Sequence, residues 1–320
     1  MRLLRIRQPG PRTTVEDLGR RGVARFGVPP GGAFDRIALR AANRLVGNPD
    51  HHAGLELTLM GPTIENAGDE PIAAAIVGAP VAGTLVDGED RSAVPLDRAF
   101  VLPPGARLRL AVPLRAGRAW VALAGGVAVP AVLGSRATYV PASFGGVEGR
   151  ALRAGDELVL GNARAPARSG SWIDPAGGSG EPAVLGLLPG PQRADFPNGV
   201  LDALCSANWY VEPTSDRTGV RLAPAEGAAT PLKDVPSGIA PEGTTLGAIQ
   251  VPPNGCPIVL GPDRPITGGY AKPAVVVHAH LGRVARLRPG DAVRFEQTSL
   301  ATALDLGRAR EESLPEVIRG

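Results

Sequence analysis

Three glycine-rich loops hold the residues whose types and spacing suit chemistry. The first runs Thr13-Thr14-Val15-Glu16-Asp17-Leu18-Gly19-Arg20-Arg21-Gly22 and then Gly27-Val28-Pro29-Pro30-Gly31-Gly32-Ala33-Phe34-Asp35. Thr14 with Asp17 can cap one helical turn. Gly31 and Gly32 permit close backbone approach to a ligand, and Arg20 adds a fixed positive charge. Asp35 is a natural N-cap, so the helix it opens would aim free amides into the loop and favour an anion. The plainer alternative is a capped turn and a surface loop. Asn43 lies one turn before Gly47-Asn48-Pro49; it is a candidate contact, although backbone bonding is the usual fate of such an asparagine. Glu56, between Leu55 and Leu57, is expected on the wet face of a strand, because charged strand residues mostly face water.

The second loop is Ser215-Asp216-Arg217-Thr218-Gly219-Val220-Arg221-Leu222. Asp216 beside two arginines four apart offers an ionised carboxylate and two forked donors, a set suited to phosphate or carboxylate. A structural ion pair in a turn reads equally well. The third loop joins Gly247-Ala248-Ile249-Gln250 to Asp263-Arg264-Pro265-Ile266-Thr267-Gly268-Gly269-Tyr270. Gln250 should end a strand. Thr267, Gly268 and Gly269 present successive amides that can form a nest for an oxyanion, with Tyr270 beside them.

Familiar catalytic patterns are missing. The chain has no GxxxxGK[ST], GxGxxG, HExxH, GxSxG or CxxC. His278 and His280 alternate on one face of an expected strand, but no third ligand accompanies them, so no metal site is expected. Cys205 and Cys256 are too few and too isolated for a disulfide framework. No apolar run is long enough to span a membrane, and the alternating start Met1 to Arg7 reads as a strand rather than a signal peptide. Cytoplasm is the expected compartment. The net charge is only +3 and aromatic residues are 4%, without a basic run, which argues against nucleic acid as a partner.

Positioning these loops is the work of many short strands. Glycine (43) and proline (33) are spread through 320 residues, which places turns between short apolar runs. Alternation predicts strands at Arg107 to Val112 and Val275 to Leu281, and turn-bounded apolar runs predict others at Val184 to Leu188 and Pro257 to Leu260. Helices are expected after Asp35, near Asn198 to Ala207, and from Ser299 to about Glu312. Pro9-Gly10-Pro11 is echoed by Pro189-Gly190-Pro191. Leu152-Arg153-Ala154-Gly155-Asp156 is likewise echoed by Leu287-Arg288-Pro289-Gly290-Asp291. A duplication follows: a domain over 1–165, a linker over 166–181, a second domain over 182–300, and a helix and tail over 301–320. The fold class is mainly β, as two similar β-barrels with few short helices.

Taken together, these loops resemble the family of the 5-oxoprolinase C subunit, also known as allophanate hydrolase subunit 2 or the carboxyltransferase-like part of urea amidolyase. Further matching segments are Ala42 to Asn48, Leu55-Glu56-Leu57-Thr58-Leu59, Gly125-Gly126-Val127, Leu133-Gly134-Ser135-Arg136, Gly190-Pro191-Gln192 and Gln250-Val251-Pro252-Pro253. The sequence departs from the family pattern at Pro30-Gly31 and at Ile266. The resemblance implies two cyclophilin-like barrels and a heteromer with a 5-oxoprolinase B subunit and a separate A subunit. It implies ATP-dependent opening of 5-oxo-L-proline to glutamate, with ATP and Mg²⁺ as cofactors. Phosphorylating the lactam oxygen would make a resonance-stabilised amide a better electrophile. Chemistry and loop position then nominate Asp216, Arg217, Arg221 and Gln250 for catalysis. They nominate Arg20, Gly31, Gly32, Asp35, Asn43, Thr267, Gly268, Gly269 and Tyr270 for binding substrate or phosphate. Two other readings stand beside this one: a carboxyltransferase component receiving biotin on another protein, and a non-catalytic regulatory subunit.

Overall fold

The computed structural model describes residues 1–110, 117–163, 165–167, 169–175 and 182–316. Parts of the expected linker (168 and 176–181), the end of the strand expected to reach Val112, and the last four residues of the tail lie outside them. The chain forms two compact units. One comprises Met1–Arg21, Gly31–Asp174 and the end from Ser313; the other comprises Gly22–Pro30 and Pro175–Glu312.

The first unit begins with β1 (Leu3–Gln8), β2 (Arg12–Glu16), α1 (Arg36–Leu45), β3 (Gly54–Thr58), β4 (Thr63–Asn66) and β5 (Ile72–Gly78). It continues through β6 (Gly83–Asp87), β7 (Asp90–Ala93), β8 (Ala99–Leu102), β9 (Arg107–Leu110), β10 (Arg118–Leu123) and β11 (Glu157–Val159). These strands make two sheets, ordered β11-β1-β4-β9-β6-β7 and β2-β3-β10-β5-β8. Period-two alternation sends Leu4 and Ile6, Leu55 and Leu57, Ala74 and Ile76, and Ala119 and Val121 into one shared core.

Both faces of the central strands β5 and β10 are covered, because α1 packs over them on the side away from that core. Asp35 caps α1, its Oδ1 accepting from Ile37 N and Ala38 N at 3.1 Å. Gly47 ends it at φ +76°, with Gly47 N donating to Arg44 O and Asn48 N to Asn43 O, the paired bonds of a Schellman stop. Two expectations change here. Thr13 to Glu16 is a strand paired with β3 rather than the start of a capped helical turn, since Thr14 pairs with Glu56 in that ladder. Glu56 is only 1% exposed rather than facing water, because its face of the sheet lies beneath the loop leading into α1.

The second unit contains β12 (Ala183–Pro189), α2 (Val200–Ser206), β13 (Trp209–Val211), β14 (Gly219–Ala223), β15 (Glu242–Gly243) and β16 (Ala248–Gln250). After these come β17 (Ile258–Leu260), β18 (Thr267–Gly268), β19 (Ala274–Val276), α3 (Leu281–Arg286), β20 (Ala292–Gln297) and α4 (Leu300–Glu312). Seven strands close a barrel in the order β12-β19-β16-β17-β14-β13-β20, while β15 and β18 form a separate two-stranded ribbon. The chain is thus mainly β with short helices.

The echoed Gly-Asp segments adopt one geometry. Asp156 accepts from Arg153 N at 2.7 Å and Asp291 from Arg288 N at 2.8 Å, while Gly155 and Gly290 sit at φ +91° and +88°. Each turn leads directly into a strand, β11 or β20. The pairing differs: β11 runs antiparallel to β1, whereas β20 runs parallel to β12.

The strand expected through Leu281 stops at Val276, and His278 to His280 form a 3₁₀ turn instead. His280 has a structural partner, since its Nδ1 accepts from Gly186 N at 2.8 Å. That bond needs a neutral ring. Burial, aided by the charges of Arg283 and Arg310, pushes the pKa down to about 4. An unfolded histidine titrates near ~6.5, so between these values the unfolded chain binds a proton that the folded chain does not. Stability present above about pH 6.5 is therefore lost as pH falls towards 4. His280→Asn, which keeps a short acceptor without a titrating ring, should flatten that dependence in urea midpoints measured between neutral and acid pH. An unchanged slope would show that His280 does not govern it.

Candidate active site

In the first unit the nominated residues gather into a framework. Arg20 is 2% exposed, donates to the carbonyls of Val132 and Ala137, and lies 4.7 Å over the Phe144 ring. Asp17 accepts from Gly19 N, Ser135 Oγ and Arg136 N. Gly32, at φ +81°, brings its Cα against the Leu18–Gly19 peptide, where a Cβ would lie 2.5 Å from Gly19 N. The carbonyl of Gly31 accepts from Arg36. Asn43 donates to Asp50 O and His52 O and accepts from Asn48 Nδ2. Asn48 in turn donates to Leu123 O and accepts from Gly125 N, so it is a tie between helix and sheet as well as a helix end.

Glu56 anchors the same loop. Its Oε2 accepts from Phe34 N at 2.8 Å and Trp120 Nε1 at 3.0 Å, and Arg118 stands 3.6 Å from its Oε1 while lying over the Phe34 ring. Asp35 and Asn43 thus spend their polar groups on the protein, and Arg20 does so through Nε and Nη2.

In the second unit, Asp216, Arg217 and Arg221 do not converge. Asp216 is exposed and caps its own turn through Thr218 N and Gly219 N. Arg217 turns inward and makes a forked pair with Asp263, at 2.8 and 3.1 Å, with both side chains 2% exposed. Arg221 is exposed on β14. Of the two readings of this loop, the geometry matches the structural ion pair, but its carboxylate comes from Asp263, 46 residues away.

The third loop does assemble a site, without a nest. Thr267 and Gly268 are extended and pair with Gly243 and Glu242. Neither Gly268 nor Gly269 has the positive φ that an amide nest alternates with. The need for glycine is steric: a Cβ on Gly268 would overlap Nε2 of Gln250. Gln250 closes β16 at 5% exposure, and its carboxamide has no protein partner among the described residues. A bond from Val251 N to Ala271 O holds that strand end beside the segment carrying Tyr270 and Lys272. Thr267 and Tyr270 are exposed.

Lys272, not nominated from the sequence, is 2% exposed. Its Nζ lies 2.9 Å from Glu242 Oε1 and 3.4 Å from Tyr270 O. Gln192 Nε2 donates to the same Glu242 oxygen at 2.8 Å, and Gln192 Oε1 accepts from Lys272 N. The hydrogen bond from Lys272, followed by that from Gln192, holds the Glu242 carboxyl below the usual range. Composition carried the missed signal. Only two of the 34 cationic residues are lysines, so a lysine here is a departure from the chain's habit. An ammonium has three donors, two of them used here, and the bond from Val251 N to Ala271 O ties the segment that carries it to the strand end that carries Gln250. Such a pair can bind an amide and stabilise negative charge on its oxygen.

The chain belongs to the carboxyltransferase domain family, subdomains A and B, whose family model matches residues 26–297. Within it, the chain is 34% identical over 310 residues to the 5-oxoprolinase C subunit of Escherichia coli strain K12, covering 97% of this chain and 95% of that protein. The Haemophilus influenzae protein of the same name is also 34% identical, over 96% of this chain and 95% of its own length. The crystal structure of the K. lactis urea amidolyase matches with a TM-score of 0.88 at 29% identity. That match covers 99% of this chain, which spans only 20% of the amidolyase chain.

Proposed function

We propose that this chain is the C subunit of an ATP-dependent 5-oxoprolinase, working in the cytoplasm with a B and an A subunit to open 5-oxo-L-proline to glutamate. The observation that carries the reading is the unpartnered carboxamide of Gln250, a residue only 5% exposed and backed by Gly268. A lactam is locked as a cis amide, with its N–H and C=O on one edge. A carboxamide presents the complementary acceptor and donor side by side, so Gln250 pairs with both. In this reading the third Lys272 donor meets the charge that develops on the lactam oxygen as the amide is activated. The two 5-oxoprolinase C subunits, matched over nearly their whole length, support the same reading.

ATP and Mg²⁺ enter as requirements of the assembly. Among the described residues no group of three or more His, Cys, Asp and Glu side chains stands together to hold a metal ion. Arg217 and Arg20, nominated for phosphate, are engaged by Asp263 and by backbone carbonyls. These residues do not fit ATP–Mg²⁺ as they stand.

A second reading, a carboxyltransferase component of a urea-type carboxylase with biotin arriving on another protein, draws on the likeness to urea amidolyase. Urea offers the same amide edge as a lactam. The test is reconstitution: this chain alone, and with its B and A subunits, assayed for ATP hydrolysis dependent on 5-oxoproline. Negligible turnover alone and clear turnover in the assembly is the expected result. Activity with urea and biotin but none with 5-oxoproline would replace the first reading by the second, and full turnover by the isolated chain would overturn the subunit reading.

A further inference from the structure

A cavity lies in the first unit, lined by no residue of the Gln250 and Lys272 cluster and independent of the function proposed for that cluster. It has a volume of about 420 Å³, and its polar wall is made by His51, His52, Arg136 and Asn162 around the Gly125-Gly126 turn. None of its lining residues is acidic. The nearest carboxylate in sequence, Asp50, is committed to Arg40 and Arg44.

The wall is held in place by the framework around α1. Asn43 Nδ2 donates to His52 O at 2.8 Å, and His52 N donates to Pro49 O, which fixes the backbone of the two histidines. Their rings meet edge to face at 5.3 Å. Gly126, at φ +69°, leaves room for the His52 ring, because a Cβ there would come within 2.9 Å of His52 Cβ. Arg136 is anchored at two points, its N donating to Asp17 and its Nε to Val129 O at 2.9 Å. Its two terminal nitrogens then have no protein partner among the described residues. A guanidinium oriented through Nε, with its outer edge open, presents a fork matched to two oxygens of one anion.

We infer that this cavity binds a small oxyanion, a phosphate or a carboxylate, through the Arg136 fork and the N–H donors of His51 and Asn162, with the His52 ring beside them. The chain has four histidines, so their ring resonances can be resolved in the full-length, histidine-labelled protein. Inorganic phosphate and acetate are titrated separately at fixed pH and ionic strength, with sodium chloride as the control. The expected result is a saturable shift of the His51 and His52 rings, with Kd in the millimolar range, while His278 and His280 stay put. Saturation by phosphate alone assigns the site to phosphate, by acetate alone to carboxylates, and by both to small oxyanions generally. R136Q should weaken binding about tenfold, the loss of one forked, charge-assisted contact. H51Q, at an exposed position that leaves the fold intact, should weaken it by roughly threefold. No saturable shift with either anion, a shift that chloride reproduces, or unaltered binding in R136Q overturns the inference.

Discussion

Glu56→Ala is expected to destabilise the protein by about 3–5 kcal/mol, the scale for removing one member of a buried ion pair. The truncation strips an acceptor from Phe34 N and Trp120 Nε1 and leaves the Arg118 guanidinium beside the vacated site, all in a region closed to water. An orphaned buried donor costs about 1–3 kcal/mol by itself. Against a typical total of ~5–15 kcal/mol, such a loss moves the urea midpoint far to the left at an unchanged slope. Glu56→Gln keeps one acceptor and the volume while losing the charge, so it should fall between the two. A loss below about 1 kcal/mol for the alanine variant would mean that the loop into α1 is held by other contacts.

Lys272→Met is expected to do the opposite, sparing the fold and removing activity. Methionine fills the buried volume, and Glu242, whose side chain is 43% exposed, can take water in place of the ammonium. In the reconstituted enzyme, turnover should drop by roughly 10²-fold, the usual effect of deleting one donor to a developing oxyanion. The fall should appear in kcat and in kcat/KM together, because the spare donor acts on charge that grows only as the amide is activated. If kcat stays within about twofold while KM rises, Lys272 serves substrate binding alone.

Local grammar made much of this fold readable. Asp35 before an alanine-rich stretch and Gly47 after it announced α1 at both ends, because capping depends on residues within one turn of each other. The Gly-Asp echo was visible for the same reason: each aspartate binds the amide three residues before it. Glu56 was misplaced because alternation reports which residues share a face, not whether the second face is covered. Only packing of α1 decides that. Arg217 shows the limit of neighbourhood reasoning, since Asp216 sits next to it and Asp263 holds it. The candidate site was half legible. Gln250 and Gly268 were singled out, but Gly268 is needed for the room it leaves to Gln250, not for unusual backbone angles. Lys272 depends on Glu242 and Gln192, brought together by strand pairing across 80 residues.

The way the chain is shared between its two units has a consequence for any attempt to divide it. Residues 22–30 lie in the first half of the sequence but cluster with the second unit, and the end from Ser313 returns to the first. A single cut near residue 175 would therefore leave each fragment holding a piece of the other's fold. The two halves exchange segments as two protomers do in a swapped dimer, but within one polypeptide. Such an exchange ties both units to a common fate: a cut between them yields no clean module of either.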